Sequence, residues 1–443
     1  MLRSTVAEIG AIVDGVVVGD RGRELRGIST DSRAVQPGEL FVAIRGELFD
    51  GHDFADTALQ GGAAAVLVER GRGTTGSPRI EVTDSLGALA RLAEDARDRV
   101  TVPVIAVTGS TGKTTTKDLL ASALPGAWAS PRSYNNEVGV PLTRLATPKF
   151  AEHVVVEVGS RGAGHIRRLL PAVRPDVAVI TNLGVVHLET FGTRDRLADA
   201  KWELVEGLGP RGIAVLPAAE PRLRRSHAGQ TVTFGVDTDA DVAATDVFLD
   251  DTGTATFRLR AGESEATVRA PFPGHHQAHN ITAVVGAGLA AGVHFGTLVA
   301  GLAGAQGSPW RMEIHTGSFT VVNDAYNANP DSVEAALRTI VAMPGRHVAV
   351  LGEMAELGEI AKAEHLRIGA LASELGFTAV VTVGDEPGIA EGAGRIARRT
   401  PDPDSAAALL TGYLRSGDVV LVKASRAVGL ESLAQRLVEE AGA

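Results

Sequence analysis

Short apolar runs alternate along this chain with stretches in which apolar residues return every three or four positions. The runs read as strands: Leu40–Ile44, Ala64–Val68, Val102–Val107, Val154–Val158, Val177–Thr181, Ile213–Leu216, Val348–Leu351, Ala379–Val383 and Val419–Lys423, with a shorter one opening at Thr320. Helical period covers Ser85–Arg97, Lys113–Leu124, Thr193–Leu208, Ser332–Met343 and Glu364–Leu375. Strands this uniformly apolar suit a parallel sheet covered on both faces. The segment Thr231–Ala270 differs. Apolar and polar residues alternate there, as in Ala255–Leu259, which predicts an antiparallel extension of the neighbouring sheet.

The alternation falls into three blocks. The first runs to about Arg99, the second begins at Val102 and the third near Met312. The Gly-Ser-Pro stretch Gly304–Pro309 is the expected hinge. The fold class is therefore α/β in three domains. Residues 1–100 form a small N-terminal α/β domain, 101–311 a central, mostly parallel sheet, and 312–443 a second open α/β sheet. A chain of 443 residues exceeds one typical core, which agrees with this division. No internal repeat interrupts it.

Composition narrows the picture. Hydrophobic residues at 44% and charged residues at 22% describe an ordinary globular protein. Without cysteine, disulfides and thiolate chemistry are excluded, in keeping with a reducing cytoplasm. No apolar run has transmembrane length, so a membrane-embedded protein is not expected. The N-terminal stretch is interrupted by Glu8 and carries no cleavage-site pattern, so no signal peptide is expected. A net charge of −10 argues against nonspecific nucleic-acid binding, which runs on phosphate neutralisation by Lys and Arg. Anionic substrates would need positive charge concentrated locally.

One segment supplies such a concentration. Thr108–Lys117 reads TGSTGKTTTK between the strand Val102–Val107 and the helix Lys113–Leu124. Strand, glycine-bearing loop and helix wrap backbone N–H groups around a phosphate, and the helix N-terminus adds partial positive charge. Gly109, Ser110, Thr111, Gly112, Lys113, Thr114 and Thr115 are the candidate phosphate-binding residues. Lys113 would supply a point charge to the β/γ-phosphates, and the Thr114 hydroxyl a Mg²⁺ ligand. The loop is shorter than the common G-x-x-x-x-G-K-[ST], whose first glycine would fall at Val107.

Other residues carry chemistry only conditionally. Glu157 ends an apolar strand, where open α/β sheets place ligands, and suits a nucleotide-bound Mg²⁺ as well as it suits solvent. His187 follows another strand; Mg²⁺ prefers oxygen, so a structural histidine is the simpler reading there. Lys201 in its helix reads, on local pattern alone, as a solvated lysine. Asp324, between a strand and a helix, suits a ribose hydroxyl or a turn. Arg311, Lys423 and Arg426 are cations for phosphates or carboxylates, or bare surface charges.

Taken together, the motifs resemble the Mur ligase family, whose phosphate loop has this shortened form. The resemblance runs in order through Ser29–Arg33 (STDSR), Pro37–Phe54, Asn135–Thr143 (NNEVGVPLT) and Glu157–Ile166 (EVGSRGAGHI). It continues through His187–Gly192 (HLETFG), Asn323–Ser332 (NDAYNANPDS), Leu351–Gly358 (LGEMAELG) and Val422–Glu431 (VKASRAVGLE). DAYNANP and LGEMAELG are far more specific than the phosphate loop, and they point to the branch that adds D-alanyl-D-alanine to a UDP-linked tripeptide.

That resemblance implies a P-loop ATPase-like central domain and a Rossmann-like C-terminal domain that closes over ATP. It implies that the first domain holds the UDP end of UDP-N-acetylmuramoyl-tripeptide, with Ser32 and Arg33 in the matching motif. Asn135, Asn136, Tyr326, Asn327 and Asn329 lie in the matching substrate motifs. Lys113 would contact phosphates, and Thr114 and Glu157 would ligate Mg²⁺. His187 would join a second Mg²⁺, and Lys201 matches a carbamylated lysine at the metal site. Asn280 would lie near adenine, with Arg311 and Asp324 on the nucleotide. The implied reaction passes through an acyl phosphate, in peptidoglycan precursor synthesis, by a cytoplasmic monomer. The chain departs from the family pattern at Leu216–Pro221, where a polar L-N-x-D-D-like turn is usual, and at Trp310, where glycine is more usual. A sister ligase adding another amino acid is the nearest alternative, but it carries a D-x-A-H-x-P-like segment in place of DAYNANP. A nucleotide-binding protein without ligase activity is the other alternative; Lys113, Glu157, His187 and Lys201 together count against it.

Overall fold

The apolar runs fold into three larger sheets in a computed structural model that describes residues 4–46, 49–131, 133–184 and 191–442. In the first, Val16–Val18, Arg79–Val82, Ala65–Glu69, Glu39–Val42 and Gly27–Ser29 lie side by side in that order. All are parallel except Val16–Val18. Helix Ser85–Arg99 buries Ala88, Leu89, Leu92 and Ala93 against this sheet.

The central sheet has nine strands. From one edge they run Ala127–Ala129, His153–Glu157, Val104–Thr108, Val177–Ile180, Ile213–Pro217, Gln230–Val236, Val242–Leu249, Thr254–Ala261 and Ser264–Pro273. The expected antiparallel extension is shorter than the alternation implied. Gln230–Val236 and Val242–Leu249 still pair parallel, and only the last two strands are antiparallel. Phe234, Val242 and Ala244 are buried in one core with Ile281 and Val284 of helix Gln277–Ala290. Helical cover thus continues past the expected boundary.

The third sheet has the order Glu313–Thr316, Thr320–Asn323, Val419–Lys423, His347–Gly352, Ala379–Val383 and Ala397–Thr400. Only its first pair is antiparallel. Helices Pro330–Ile340 and Ala361–Glu374 bury Val333, Leu337, Ile368 and Leu371 on one face. Pro403–Thr411 and Glu431–Gly442 bury Leu410, Leu433 and Leu437 on the other. Strands covered on both sides need no polar face, which is why they read as unbroken apolar runs. Among the described residues no helix is long and apolar enough to cross a membrane.

Where the central sheet meets the first, helix Gly139–Leu145 packs between the two cores, with Val140 on one side and Leu145 on the other. Its Arg144 is 1% exposed, and the guanidinium has no hydrogen-bond partner among the described residues. Burial, then Arg97, pulls its pKa down to about 10, against a smaller opposing effect of Asp176. A cation held below its ordinary pKa weakens the fold while charged. That penalty is fully present below about 10 and fades as pH rises toward 12.5. Replacing an unpaired buried charge by an apolar side chain of similar length removes the desolvation cost. Arg144→Met is therefore expected to stabilise the protein by about 1–3 kcal/mol. Thermal unfolding at neutral pH checks this; a lower Tm would show that the guanidinium has stabilising partners in solution.

Candidate functional site

The loop after Val104–Thr108 turns into helix Lys113–Ala123 through Gly109 and Gly112, at φ 149° and 76°. Both need to be glycine. A Cβ on Gly109 would stand 1.9 Å from Thr181 Oγ1, and one on Gly112 2.6 Å from Asn280 Oδ1. The loop is fastened to the end of the next strand. Ser110 N–H donates to Asn182 O at 3.2 Å, Thr111 N–H to Asn182 Oδ1 at 2.9 Å, and Thr181 Oγ1 to Thr111 O at 2.6 Å. Lys113 Nζ bonds the carbonyls of Gly109 at 2.7 Å and Ser110 at 3.0 Å, so the loop closes around its own lysine. The first-turn N–H groups at Lys113, Thr114 and Thr115 have no acceptor within the helix and open toward the cleft.

Beside the loop stands Glu157, 1% exposed. Asn135 Nδ2 donates to its Oε1 at 2.7 Å, while Oε2 is buried with no hydrogen-bond partner among the described residues. Burial lowers the Lys113 pKa, with Glu157 and Glu356 opposing and Arg311 adding to the shift. Lys201, in helix Arg194–Glu206, is 1% exposed, so it is not the solvated lysine of its local pattern. Burial, then Lys113, holds its pKa well below the ordinary lysine value. Its neighbour Glu203 cannot neutralise it fully, because both Glu203 oxygens accept N–H groups, from Gly164 and Arg167.

The opposite wall of the cleft comes from the hinge and the third sheet. Arg311 donates from Nη2 to Thr114 Oγ1 at 3.0 Å, and its guanidinium lies 4.1 Å from the centre of the Tyr326 ring. Asp324 accepts from Lys423 Nζ at 2.6 Å and from Met312 N–H at 3.2 Å. Lys423, 2% exposed on its side chain, is thus a buried ion-pair partner rather than a surface cation. Its Nζ also bonds Asn327 O at 2.8 Å. Asn329 caps helix Pro330–Ile340 through a reciprocal pair with Ser332. Asn135, Asn136, Asn280, Asp324, Tyr326, Asn327 and Asn329 all line one cavity of about 1080 Å³ with the phosphate loop. Ser32 and Arg33 are not in this cavity; Arg33 is exposed and folds back onto Asp31 Oδ2 at 2.8 Å. His187 lies outside the described residues.

Sequence reasoning missed several residues of this cleft. Asn182 organises the loop, and Asp118 anchors the hinge by accepting Ser308 Oγ at 2.6 Å. His276 also lines the cavity, and burial lowers its pKa to about 4. A lone Asn, Asp or His carries no local pattern; only their place at strand ends or beside Asn280 offered a signal. At the Leu216–Pro221 departure, Glu220 caps the short turn Pro221–Leu223 and pairs with Arg194 at 3.4 Å, so that segment serves structure.

A glycine loop between strand and helix, at the carboxyl end of a parallel sheet and facing a second α/β sheet, defines a phosphate-loop nucleotide-binding protein. Comparison with known proteins narrows this class. Residues 107–288 match the Mur ligase middle domain, 310–426 the Mur ligase glutamate ligase domain, and 24–97 the Mur ligase family catalytic domain. The chain is 36% identical to the UDP-N-acetylmuramoyl-tripeptide–D-alanyl-D-alanine ligase of Mycobacterium tuberculosis, over 99% of this chain and 98% of that one. It superposes on MurF from Acinetobacter baumannii with a TM-score of 0.91 at 31% identity, covering 99% of each chain. MurF from Thermotoga maritima in complex with ADP gives a TM-score of 0.83 at 32% identity, covering 94% of this chain and 97% of that one. The chain belongs to the Mur ligase family.

The geometry predicts a specific sensitivity. Gly109→Ala forces a Cβ against Thr181 Oγ1 at a backbone angle that side chains rarely adopt. A strain of about 1–3 kcal/mol is expected, relieved by displacing the loop. ADP should then raise the Tm of this variant by less than it raises that of the parent. An equal ADP-induced rise in both would mean that the loop tolerates the methyl group.

Proposed function

We propose that the protein is an ATP-dependent ligase joining D-alanyl-D-alanine to UDP-N-acetylmuramoyl-tripeptide, giving the pentapeptide precursor of peptidoglycan, ADP and phosphate. The observation that carries this reading is the single cavity shared by the phosphate loop, the buried Glu157 and the Asp324–Asn329 segment. Residues 1–100 hold the UDP end with Ser32 and Arg33, 101–311 carry ATP, and 312–443 close over it and receive the dipeptide. We place the reaction in the cytoplasm and take the working unit as a monomer.

The residues present fit magnesium. Among the described residues no group of three His, Cys, Asp or Glu gathers. A buried carboxylate oxygen without a partner on Glu157 and the nearby Thr114 hydroxyl are the hard oxygen donors that Mg²⁺ takes. A second ion would draw on His187 and on Lys201 as its carbamate. Bound there, magnesium would offset the charge of the phosphates and of the attacking carboxylate.

The chain's own groups do the rest. The first-turn N–H groups and Lys113 hold the β/γ-phosphates, while Asn280 and Arg311 position the nucleotide. Asn135 fixes the orientation of Glu157 through Oε1. With the γ-phosphate held in this way, the tripeptide carboxylate attacks phosphorus and ADP leaves, forming an acyl phosphate. The dipeptide amine then attacks the carbonyl, loses a proton and displaces phosphate. Enclosure between the two sheets keeps water from the acyl phosphate.

Lys201 fits its assigned chemistry for a physical reason. Burial and Lys113 favour its neutral amine, the form that adds to CO₂. Addition followed by loss of a proton gives a carbamate anion, which exchanges an unfavourable cation beside Lys113 for a favourable charge. With ¹³C-bicarbonate a carbamate resonance is expected that Lys201→Ala lacks. The same variant should lose nearly all ligation, with no rescue by bicarbonate. Normal turnover in Lys201→Ala would remove the carbamate from the mechanism.

The function itself is tested by phosphate release from ATP with UDP-N-acetylmuramoyl-tripeptide, with and without D-alanyl-D-alanine, with the product weighed by mass spectrometry. Release that needs both substrates and yields the pentapeptide is the expected result. Release indifferent to the dipeptide would overturn it.

A further inference from the structure

The third sheet puts a carboxylate and a guanidinium on the same wall of the cleft, and the reading above gives neither a role. They are Glu356 and Arg426, both in the cavity lining. Two loops carry them. Ser425 accepts the Ala355 N–H on its Oγ at 2.8 Å and donates its own N–H to Glu353 O at 3.0 Å. The loop after His347–Gly352 is thereby stitched to the loop after Val419–Lys423. Glu356 is the residue next to one end of this stitch, and Arg426 the residue next to the other.

Each charge has its own local setting. Glu356 stands at φ 63°, in the left-handed region where a long side chain is rarely found. The backbone around it is over-determined: Met354 N–H bonds the buried His365 at 2.8 Å, and Met354 and Leu357 are themselves buried. Strain maintained in this way points to a demand on where the side chain goes. Its charge acts across the cleft on Lys113, so it lies on the phosphate-loop side. Arg426 lies on the hinge side. Its guanidinium is 4.7 Å from the Trp310 ring centre, 5.7 Å from that of Tyr326 and 3.7 Å from Glu431 Oε1. Trp310 also takes a left-handed backbone, φ 62°, to present its ring there. Two aromatic faces fix the plane of a guanidinium, which suits it to take a carboxylate on two N–H groups.

The incoming dipeptide is a zwitterion with its two charges at opposite ends, about 7 Å apart when extended. Its reacting end is the ammonium, which must come to the phosphate side, where the acyl phosphate forms. We propose that Glu356 and Arg426 form the dipeptide subsite, Glu356 receiving the ammonium end and Arg426 the terminal carboxylate, with Trp310 and Tyr326 holding the guanidinium in position. This inference rests on the ligase reading and deepens it. It makes selection of a short peptide with both ends free a property of these two loops.

Analogues lacking one charge test each half on the full-length protein. For the carboxylate end, D-alanyl-D-alaninamide is compared with D-alanyl-D-alanine in phosphate release. The parent should prefer the dipeptide by about tenfold or more in kcat/KM, the effect of one charge-assisted contact. Arg426→Met should bring the two close to parity, and Trp310→Gly, which suits the left-handed backbone, should raise the dipeptide KM severalfold with ADP affinity unchanged. For the ammonium end, N-acetyl-D-alanyl-D-alanine should inhibit the parent poorly, and Glu356→Gln should raise the KM for the free dipeptide severalfold, by more than it changes ADP affinity. Full retention of the preference by Arg426→Met, or an unchanged dipeptide KM in Glu356→Gln, would overturn the subsite. A parent enzyme whose phosphate release ignores the dipeptide would instead remove the ligase reading, before any variant is made.

Discussion

Two lysines within electrostatic reach of each other, Lys113 in the phosphate loop and the buried Lys201, set the condition to which the rest of the cleft responds. A cation drawn away from water is costly unless matched, and a second one beside it makes a region that favours anions. In a chain of net charge −10, this is how positive potential is concentrated where phosphates must bind rather than spread over the surface. The protein's own answer to the pair is partial. Glu157 offers one carboxylate, half engaged by Asn135, and Glu203 is taken up capping helix His165–Val173. The remainder is left for groups that arrive with the reaction: triphosphate, carboxylate, and the CO₂ proposed to convert Lys201 into an anion.

The same constraint explains how the two sheets are tied. Arg311 is a third cation at this point, and its Nη2 rests on the Thr114 hydroxyl while its plane rests on Tyr326. Its charge adds to the depression of the Lys113 pKa. Arg311 therefore belongs to the central site electrostatically and to the third sheet sterically. Asp118 adds a neighbouring tie, binding Ser308 of the hinge from the phosphate-loop helix.

How far the sequence could be read follows from the range of the interactions. Strands covered on both faces declared themselves as apolar runs, and the phosphate loop declared itself because its chemistry is local: two glycines, a lysine and a hydroxyl on one turn. The parallel pairing of Gln230–Val236 with Val242–Leu249 did not, because residues 237–241 are too few for the helical crossover that parallel neighbours ordinarily use. Lys201 looked like any helix lysine, since its burial depends on the elements that pack over it, and its electrostatic setting on Lys113, far away in sequence. Lys423 misled for the same reason; its partner Asp324 lies in another strand–helix turn. The family resemblance supplied Lys201, but neither periodicity nor spacing would have done so.

Trp310 shows how a departure from a family pattern acquires a physical meaning. Glycine at a hinge is ordinarily explained by flexibility, and a tryptophan there would be expected only to stiffen it. The backbone at this position is left-handed, at φ 62°, which is the more exact reason glycine suits it. A bulky residue accepts that conformation only where its side chain returns something. Here the return is the contact with Arg426, 4.7 Å from the ring, which carries the hinge residue into the wall of the cleft. Met312 takes the same left-handed form two residues on, at φ 50°. The hinge residue thus combines a left-handed backbone with a side chain that orients a guanidinium.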